Sequence, residues 1–472
     1  MTNWLPDISQ GSGPIYIRLA DKIEADIASG TLPRGTKLPP QRNLAFDIGV
    51  TIGTIGRGYQ LAIERGLATA EVGRGTFIRS TEPLIRDNEQ IPADVMQPEV
   101  RGMELGAGFY RMNSTSATDI GQSAVIATLC SAVLKEEPLK SIDYVRSLEP
   151  SWQEAGHNWL STGGWSPELE NVFPTMGVHS AMVAIVAALT QPGDKVAFES
   201  LTYASLSRAV TLIGRRPVQV DIGENGLDPD DFARVCAQQH PKVLMVIPTL
   251  HNPTTAIIPE ENRRRIAQIA HDNNVMIIED NIYGRHVKDA PPPLAAMAPE
   301  RTFHVSGLSK NVGAGLRAGW ISCPANFRNR LLIANKAMVG GNTYMLTEVA
   351  ARLVNSGEAD RIGKQVSAHI SHREVIVREI FNGLKFKSHP EAAFVWLQLP
   401  EPWVSGTFKT AAREQGILID SAYEFKSGQS GDAIHKVRVA TIAIQGEQEF
   451  RQSLMVLREL MDSGCAGYDD YS

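Results

Sequence analysis

Apolar residues first recur at helical spacing near the start of the chain. Leu19, Ile23 and Ile27 share one face of a helix that opens after Pro14 and stops near Gly30. The turn Leu32-Pro33-Arg34-Gly35 follows, and Leu38-Pro39-Pro40 leads into a short helix that turns Leu44 and Ile48 inward. Gly49 ends that helix. Thr51 is placed to cap a third, which buries Ile55, Tyr59 and Ile63 before Gly66 stops it. Two short strands, Leu67–Thr69 and Thr76–Ile78, flank a Gly73-Arg74-Gly75 tip. The pattern is a helix, a helix-turn-helix and a wing, filling residues 1–80.

The period then vanishes. Residues 81–102 carry Pro83, Pro92 and Pro98 among polar residues and read as a tether. From about residue 175, near-continuous apolar runs alternate with helix-length segments: Lys195–Phe198, Val243–Ile247, Val275–Ile278, Thr302–Val305 and Gly319–Ser322. Such runs predict strands of a mainly parallel sheet covered on both faces. Residues of about 340–472 change character. An amphipathic helical stretch leads to strand Phe394–Leu399, a helix near Lys409–Gln415 and strand Val437–Thr441, a smaller α+β subdomain within an α/β body of residues 103–472.

The length of 472 residues already calls for more than one domain. No apolar run is long enough to span a membrane, and the N-terminus lacks the regions of a signal peptide, so a cytoplasmic protein without membrane contact is expected. Cys130, Cys236, Cys323 and Cys465 are widely spaced, which predicts core thiols and no metal site. The net charge of −6 is uneven. Residues 1–80 hold nine Lys/Arg against seven Asp/Glu, a balance of +2, leaving −8 on the remainder. A mildly basic head on an acidic body suits local contact with DNA.

The order and lettering of residues 13–80 resemble the GntR-type winged-helix domain. In that family the second helix of the motif enters the major groove and the wing tip reaches toward the minor groove. The resemblance implies that Arg42, Thr51, Thr54 and Arg57 touch phosphates and bases of a promoter operator, with Arg74 at the wing. Physically, the glycines at 73 and 75 let backbone approach DNA, and a narrow minor groove attracts the Arg74 charge. Two departures stand out. Ile52 occupies the place of a customary arginine. Gly53, Gly56 and Gly58 each cost about 1 kcal/mol relative to alanine in a helix interior, which predicts a recognition helix that firms only on DNA.

Polar residues also gather at strand ends in the body, where open α/β sheets bind ligands. Asn252 follows Val243–Ile247, Asp280 follows Val275–Ile278 and Lys310 follows Thr302–Val305, at separations of 28 and 30 residues. Residues from about 103 to 460 resemble the fold-type I, class I aminotransferases, which use pyridoxal 5'-phosphate. A winged helix ahead of such a body is the layout of the MocR subfamily of GntR regulators. The resemblance implies that Lys310 forms the internal imine with the cofactor aldehyde, the one catalytic role expected. Asp280 pairs with the pyridine nitrogen, Tyr283 and Asn252 donate to the phenolate oxygen, and Tyr203 stacks on the ring. Gly177, Val178 and His179 open a helix whose N–H groups suit an anion. Ser309 and Arg317 complete the phosphate cradle, and Tyr144 reaches a partner subunit's phosphate in a homodimer. Arg438 grips an effector carboxylate through two parallel hydrogen bonds. Thr255 and Gly307 depart from the family's glycine and hydroxyl residue at those points.

The expected function is a pyridoxal phosphate-dependent transcription regulator, not an enzyme, that senses an amino compound by imine exchange at Lys310. A working aminotransferase and a sensor of pyridoxal phosphate itself are the alternatives.

Overall fold

The structure is a computed structural model that describes residues 4–8, 14–33, 35–65, 67–71, 75–78, 108–428 and 434–463. It divides into two units, Met1–Glu99 and Val100–Ser472. The expected tether at 81–102, the tip residues Gly73 and Arg74, and Cys465 lie outside the described residues.

In the first unit, helices α1 (Ile15–Ala28), α2 (Gln41–Asp47) and α3 (Ile52–Glu64) are followed by an antiparallel pair, β1 (Ala68–Glu71) and β2 (Gly75–Ile78). Leu19, Ile23, Leu44, Ile55, Tyr59 and Ala62 close a small core. The Tyr59 hydroxyl donates to the Pro39 carbonyl at 2.9 Å, which ties α3 to the turn before α2. Thr51 caps α3, its Oγ1 accepting from the Thr54 N–H at 3.2 Å.

The glycines of α3 are not equivalent. A Cβ at Gly58 would meet Leu19 Cδ2 at 2.6 Å, whereas one at Gly53 would meet only Thr51 Oγ1 at 3.8 Å. Gly58 is therefore the contact that lets α1 and α3 pack closely, and its helix-weakening cost is offset within the fold itself. This revises the expectation that all three glycines loosen the helix.

The second unit is built on a seven-stranded sheet of β3 (Val172–Thr175), β4 (Lys195–Glu199), β5 (Arg216–Val220), β6 (Val243–Val246), β7 (Met276–Asp280), β8 (Thr302–Gly307) and β9 (Gly319–Ser322). Their spatial order is β3-β9-β8-β7-β6-β4-β5. Pairs from β5 through β8 are parallel, while β9 runs antiparallel to both β8 and β3. The reversal follows from the connection. Leu308–Ala318 contains one short 3-10 turn, Ala314–Leu316, and no helix to carry a crossover. The two strands that hydrophobic runs did not reveal, β3 and β5, are both edge strands, and each contains a proline (Pro174, Pro217) that an edge tolerates.

A smaller antiparallel sheet, β10 (Phe386–Lys387), β11 (Phe394–Gln398), β12 (Asp420–Ser421) and β13 (Lys436–Ala440), has the order β10-β11-β13-β12. It packs with the helices Ser405–Glu414 and Glu447–Ser463 around Trp403, Phe408, Phe450 and Leu457. Among the described residues no helix is long and apolar enough to cross a membrane.

The packing of α3 makes two glycines diverge under the same substitution. Gly53→Ala should raise thermal stability of the N-terminal unit by up to about 1 kcal/mol through helix propensity. Gly58→Ala should lower it by roughly 1–3 kcal/mol through overpacking against Leu19. Calorimetry on the full chain resolves the two signs.

Candidate functional site

The carboxyl ends of β6, β7 and β8 open into one cavity of about 180 Å³. Val178, His179, Tyr203, Asn252, Asp280, Tyr283, Ser309, Lys310, Arg317 and Arg438 all line it, which brings together ten of the residues singled out in the sequence. Gly177 sits just behind the wall as the N-cap of helix α4 (Val178–Leu189), at φ +84, and a Cβ there would lie 3.4 Å from Arg317 Nη2. Tyr144 does not join them. It stands 85% exposed, outside this chain's own cavity.

Asp280 is the last residue of β7 and is buried in the cavity floor. Burial pushes its carboxyl up to about 6. The Ile282 N–H, which donates to Oδ1 at 3.0 Å, and the nearby Lys310 and His304 act against that rise. Its neighbour Glu279 points to the other side of the sheet and is fully paired. It accepts from the Leu294 and Ala295 N–H groups at 2.9 and 3.0 Å and lies 2.9 Å from His304 Nδ1. Burial would raise the Glu279 carboxyl, but His304, Arg263 and the Leu294 N–H together bring it below the usual carboxylate value. Adjacent carboxylates in one strand thus meet opposite fates because side chains alternate between faces.

The loop carrying Asn252 is held by Arg263, which is buried and donates to the Ile258 and Pro248 carbonyls at 2.8 and 2.9 Å and to Thr249 Oγ1 at 2.9 Å. Asn252 Oδ1 accepts from Arg438 Nη1 at 2.8 Å, so the amide NH2 is the group left to donate toward a ligand. Lys310 Nζ donates to Thr115 Oγ1 at 2.8 Å, and the same hydroxyl lies 3.1 Å from Tyr283 Oη. Lysine, threonine and tyrosine form one chain of polar atoms above Asp280.

Two departures from the family lettering acquire physical reasons. Gly307 ends β8 where β9 comes close: a Cβ there would stand 2.6 Å from the Ala318 carbonyl oxygen, so no hydroxyl side chain fits. Thr255 occupies φ +61, a region where glycine is usual, and its N–H donates to the His251 carbonyl at 2.7 Å.

Arg438 differs from expectation more sharply. It is 2% exposed and its Nε and Nη2 both donate to Asp420 Oδ2, the former at 3.0 Å. The fork expected to face a ligand carboxylate is already filled by one from the protein. Asp420, Thr115, Arg208, Glu424 and Phe425 had not been singled out in the sequence. The pattern Ser421-x-x-Glu424 was a usable signal, since it forms a capping box beside the cavity. Thr115 and Asp420 carry no local pattern that separates them from loop residues.

In the N-terminal unit, Arg42, Thr51 and Arg57 are exposed and Thr54 is half-buried at the start of α3. Arg57 lies over the Tyr16 ring at 5.2 Å, and Ile52 is 51% exposed. These residues present polar groups on one end of the helix-turn-helix. Arg74 lies outside the described residues.

The cavity fits pyridoxal 5'-phosphate on the structure's own terms. Asp280 is a buried acid whose charge burial disfavours and a cation would stabilise, and His179 Nδ1 is a buried polar atom with no partner among the described residues. The helix N-terminus that carries His179, together with Arg317, supplies an anion site in the same cavity. A primary amine, an acid for a pyridinium and a phosphate cradle in one cavity define the class: a pyridoxal phosphate-type aminotransferase fold.

Comparison with known proteins agrees. Residues 151–443 match the aminotransferase class I and II family, and the chain belongs to it. Residues 15–78 match the bacterial regulatory proteins of the gntR family, so a DNA-binding domain of that family is fused to the body. The uncharacterized HTH-type transcriptional regulator YdeF of Bacillus subtilis is 29% identical over 98% of this chain and 97% of its own. The pyridoxine biosynthesis transcriptional regulator PdxR of Corynebacterium glutamicum is 25% identical over 78% of this chain and 79% of its own. Among solved structures, the α-aminoadipate aminotransferase LysN of Thermus thermophilus superposes with a TM-score of 0.69 at 18% identity, covering 76% of this chain and 93% of that one.

The state of Asp280 sets a pH dependence. Above about 6 it is an anion able to pair with a pyridinium, and below that value it is neutral. Pyridoxal phosphate affinity should therefore fall as pH drops through 6. Asp280→Asn should weaken binding at pH 8 and flatten the profile, as read by equilibrium titration of the cofactor's absorbance.

Proposed function

We propose that this chain is a transcription regulator that binds promoter DNA through its N-terminal unit and reads an amine through the cavity around Lys310. The carrying observation is the coexistence in one chain of an exposed helix-turn-helix face and a cavity equipped for amine capture. The names of YdeF, whose similarity covers 98% of this chain and so runs through both parts, and of PdxR support it. When bound, pyridoxal phosphate supplies an aldehyde that condenses with primary amines and a ring that draws electron density.

Each residue of this chain then has a task. Lys310 Nζ would hold the cofactor and yield that place to an effector amine, and the Thr115 hydroxyl keeps that nitrogen placed. Asp280 holds a proton on the ring nitrogen. Asn252 and Tyr283 would donate to the ring oxygen, Tyr203 would cover the ring, and Ser309, Arg317, His179 and the N–H groups after Gly177 would take the phosphate. Tyr144, exposed on its own protomer, is available to the partner's phosphate in a homodimer. Arg42, Thr51, Thr54, Arg57 and Arg74 contact DNA. Residues 81–102 link the head, 1–80, to the effector body, 103–472, in a cytoplasmic protein. Displacement of Lys310 shifts the body between two arrangements with different affinity for DNA, since only a ligand that favours one arrangement can move the balance.

A second reading, a sensor of pyridoxal phosphate alone, is favoured by the filling of Arg438's fork, because the cofactor needs no carboxylate grip.

Lys310→Ala should abolish the yellow absorbance and the borohydride-trapped mass adduct while leaving the fold intact, and it should uncouple DNA affinity from added amine. DNA affinity that answers to the cofactor but never to any amine selects the second reading. Sustained conversion of amino acid to keto acid, with no promoter fragment retained, points to an aminotransferase instead.

Arg42→Ala should weaken operator binding by roughly 1–3 kcal/mol if it reads a base. If it touches only a phosphate, the salt dependence should become shallower by about one ion. Mobility-shift titrations at several salt concentrations separate these outcomes, and unchanged affinity removes Arg42 from the interface.

A further inference from the structure

We propose that Asp420 acts as a built-in carboxylate for Arg438, and that the cavity consequently selects primary amines with no carboxylate on the amine-bearing carbon. This inference rests on the amine-sensing reading and names its ligand class.

The donor count carries it. A guanidinium has five N–H groups. Nε and one N–H of Nη2 go to Asp420 Oδ2, the remaining Nη2 N–H lies 3.3 Å from the Asn113 carbonyl oxygen, and one Nη1 N–H goes to Asn252 Oδ1. The side-on fork is filled by an acid of the protein, and the end-on fork has lost its Nη2 half to backbone. One Nη1 N–H is left, too few for the two parallel bonds that grip a carboxylate.

Charge points the same way. Arg438 is 2% exposed and Asp420 is fully buried, so their charges cancel with little help from water. The rings of Phe394 and Phe425, 5.5 and 4.8 Å from the guanidinium carbon, wall it off further. Glu424 also lines the cavity and is held by Lys409 at 2.9 Å and by the Ser421 N–H at 2.8 Å. A ligand α-carboxylate arriving at Arg438 would find that charge already matched by Asp420 and would lie beside two existing carboxylates, with Arg208 of the cavity wall exposed to water. An amine bearing hydrogen or carbon in that place meets no such penalty.

Register explains why Asp420 is the partner. It lies directly opposite Arg438 in the antiparallel pair β12–β13, so the contact is fixed by the sheet and not by a loop.

The test uses the full chain with three probes: L-phenylalanine, 2-phenylethylamine, which is the same molecule without its carboxylate, and propionate, which has no amine. With the cofactor loaded, calorimetry should show 2-phenylethylamine binding about tenfold or more tighter than L-phenylalanine. Asp420→Asn keeps the shape and one acceptor but removes the charge, and should reverse that preference. Asp420→Ser should go further, and the wild-type ratio stands as evidence if that variant does not fold. Tighter binding of L-phenylalanine by the wild type, or a ratio unmoved by Asp420→Asn, overturns the proposal. Propionate reads Arg438 without any cofactor chemistry: ligand-observed NMR should detect it on Asp420→Asn and not on the wild type. Equal propionate binding by both overturns the role of Asp420 even if the cofactor never binds. A wild type that captures neither amine, yet rejects propionate as expected, sinks the amine-sensing reading and leaves the Asp420–Arg438 lock in place.

Discussion

A carboxylic acid buried at the end of a strand, with no ion pair among the described residues and only Lys310 and His304 nearby to oppose the cost of burial, is the constraint around which this body is arranged. Asp280 is placed by the β6-β7-β8 ladder, which fixes its height and direction, and the sheet cannot move it without losing register. Such a group is unfavourable unless a ligand brings the missing positive charge. Glu279 shows what the same strand does when no ligand is intended. One residue earlier and on the opposite face, it is surrounded by two backbone N–H groups and an imidazole. The contrast leaves Asp280, unlike Glu279, facing the cavity with a raised carboxyl.

Much of this architecture was legible because it repeats. The buried parallel strands announced themselves as apolar runs, and Asn252, Asp280 and Lys310 followed three of them at separations of 28 and 30 residues. Edge strands were silent, since Pro174, Pro217 and the polar positions of β5 break the hydrophobic signal that burial on both faces creates elsewhere. The reversal of β9 was equally hidden, because strand direction depends on the length and content of the preceding loop and not on the strand's own letters. Two of the residues that escaped notice, Thr115 and Asp420, meet their partners 195 and 18 positions away. Pairings across such separations leave no local spacing to read.

The head teaches a related point about residue type. Glycine in a helix reads as weakness when the helix is considered alone. Gly58 shows that it is also a means of approach, since the side chain of Leu19 occupies the space a Cβ would take. Gly53 has no such neighbour, so the same letter in the same helix has two different meanings. Likewise Gly307 marks where two strands touch, and its place in a family pattern says less than the 2.6 Å gap it leaves to the Ala318 carbonyl.

The bond between Asn252 and Arg438 joins a loop of the large sheet to a strand of the small one, 186 residues apart. Its amide is both a wall of the cavity and a strut between two lobes. A ligand oxygen that takes hold of the NH2 end polarises the carbonyl end, strengthening its grip on Arg438 and, through Asp420, on the strand beside it. A ligand seated at the strand ends and held by this amide would therefore touch, through one side chain, both sheets at once.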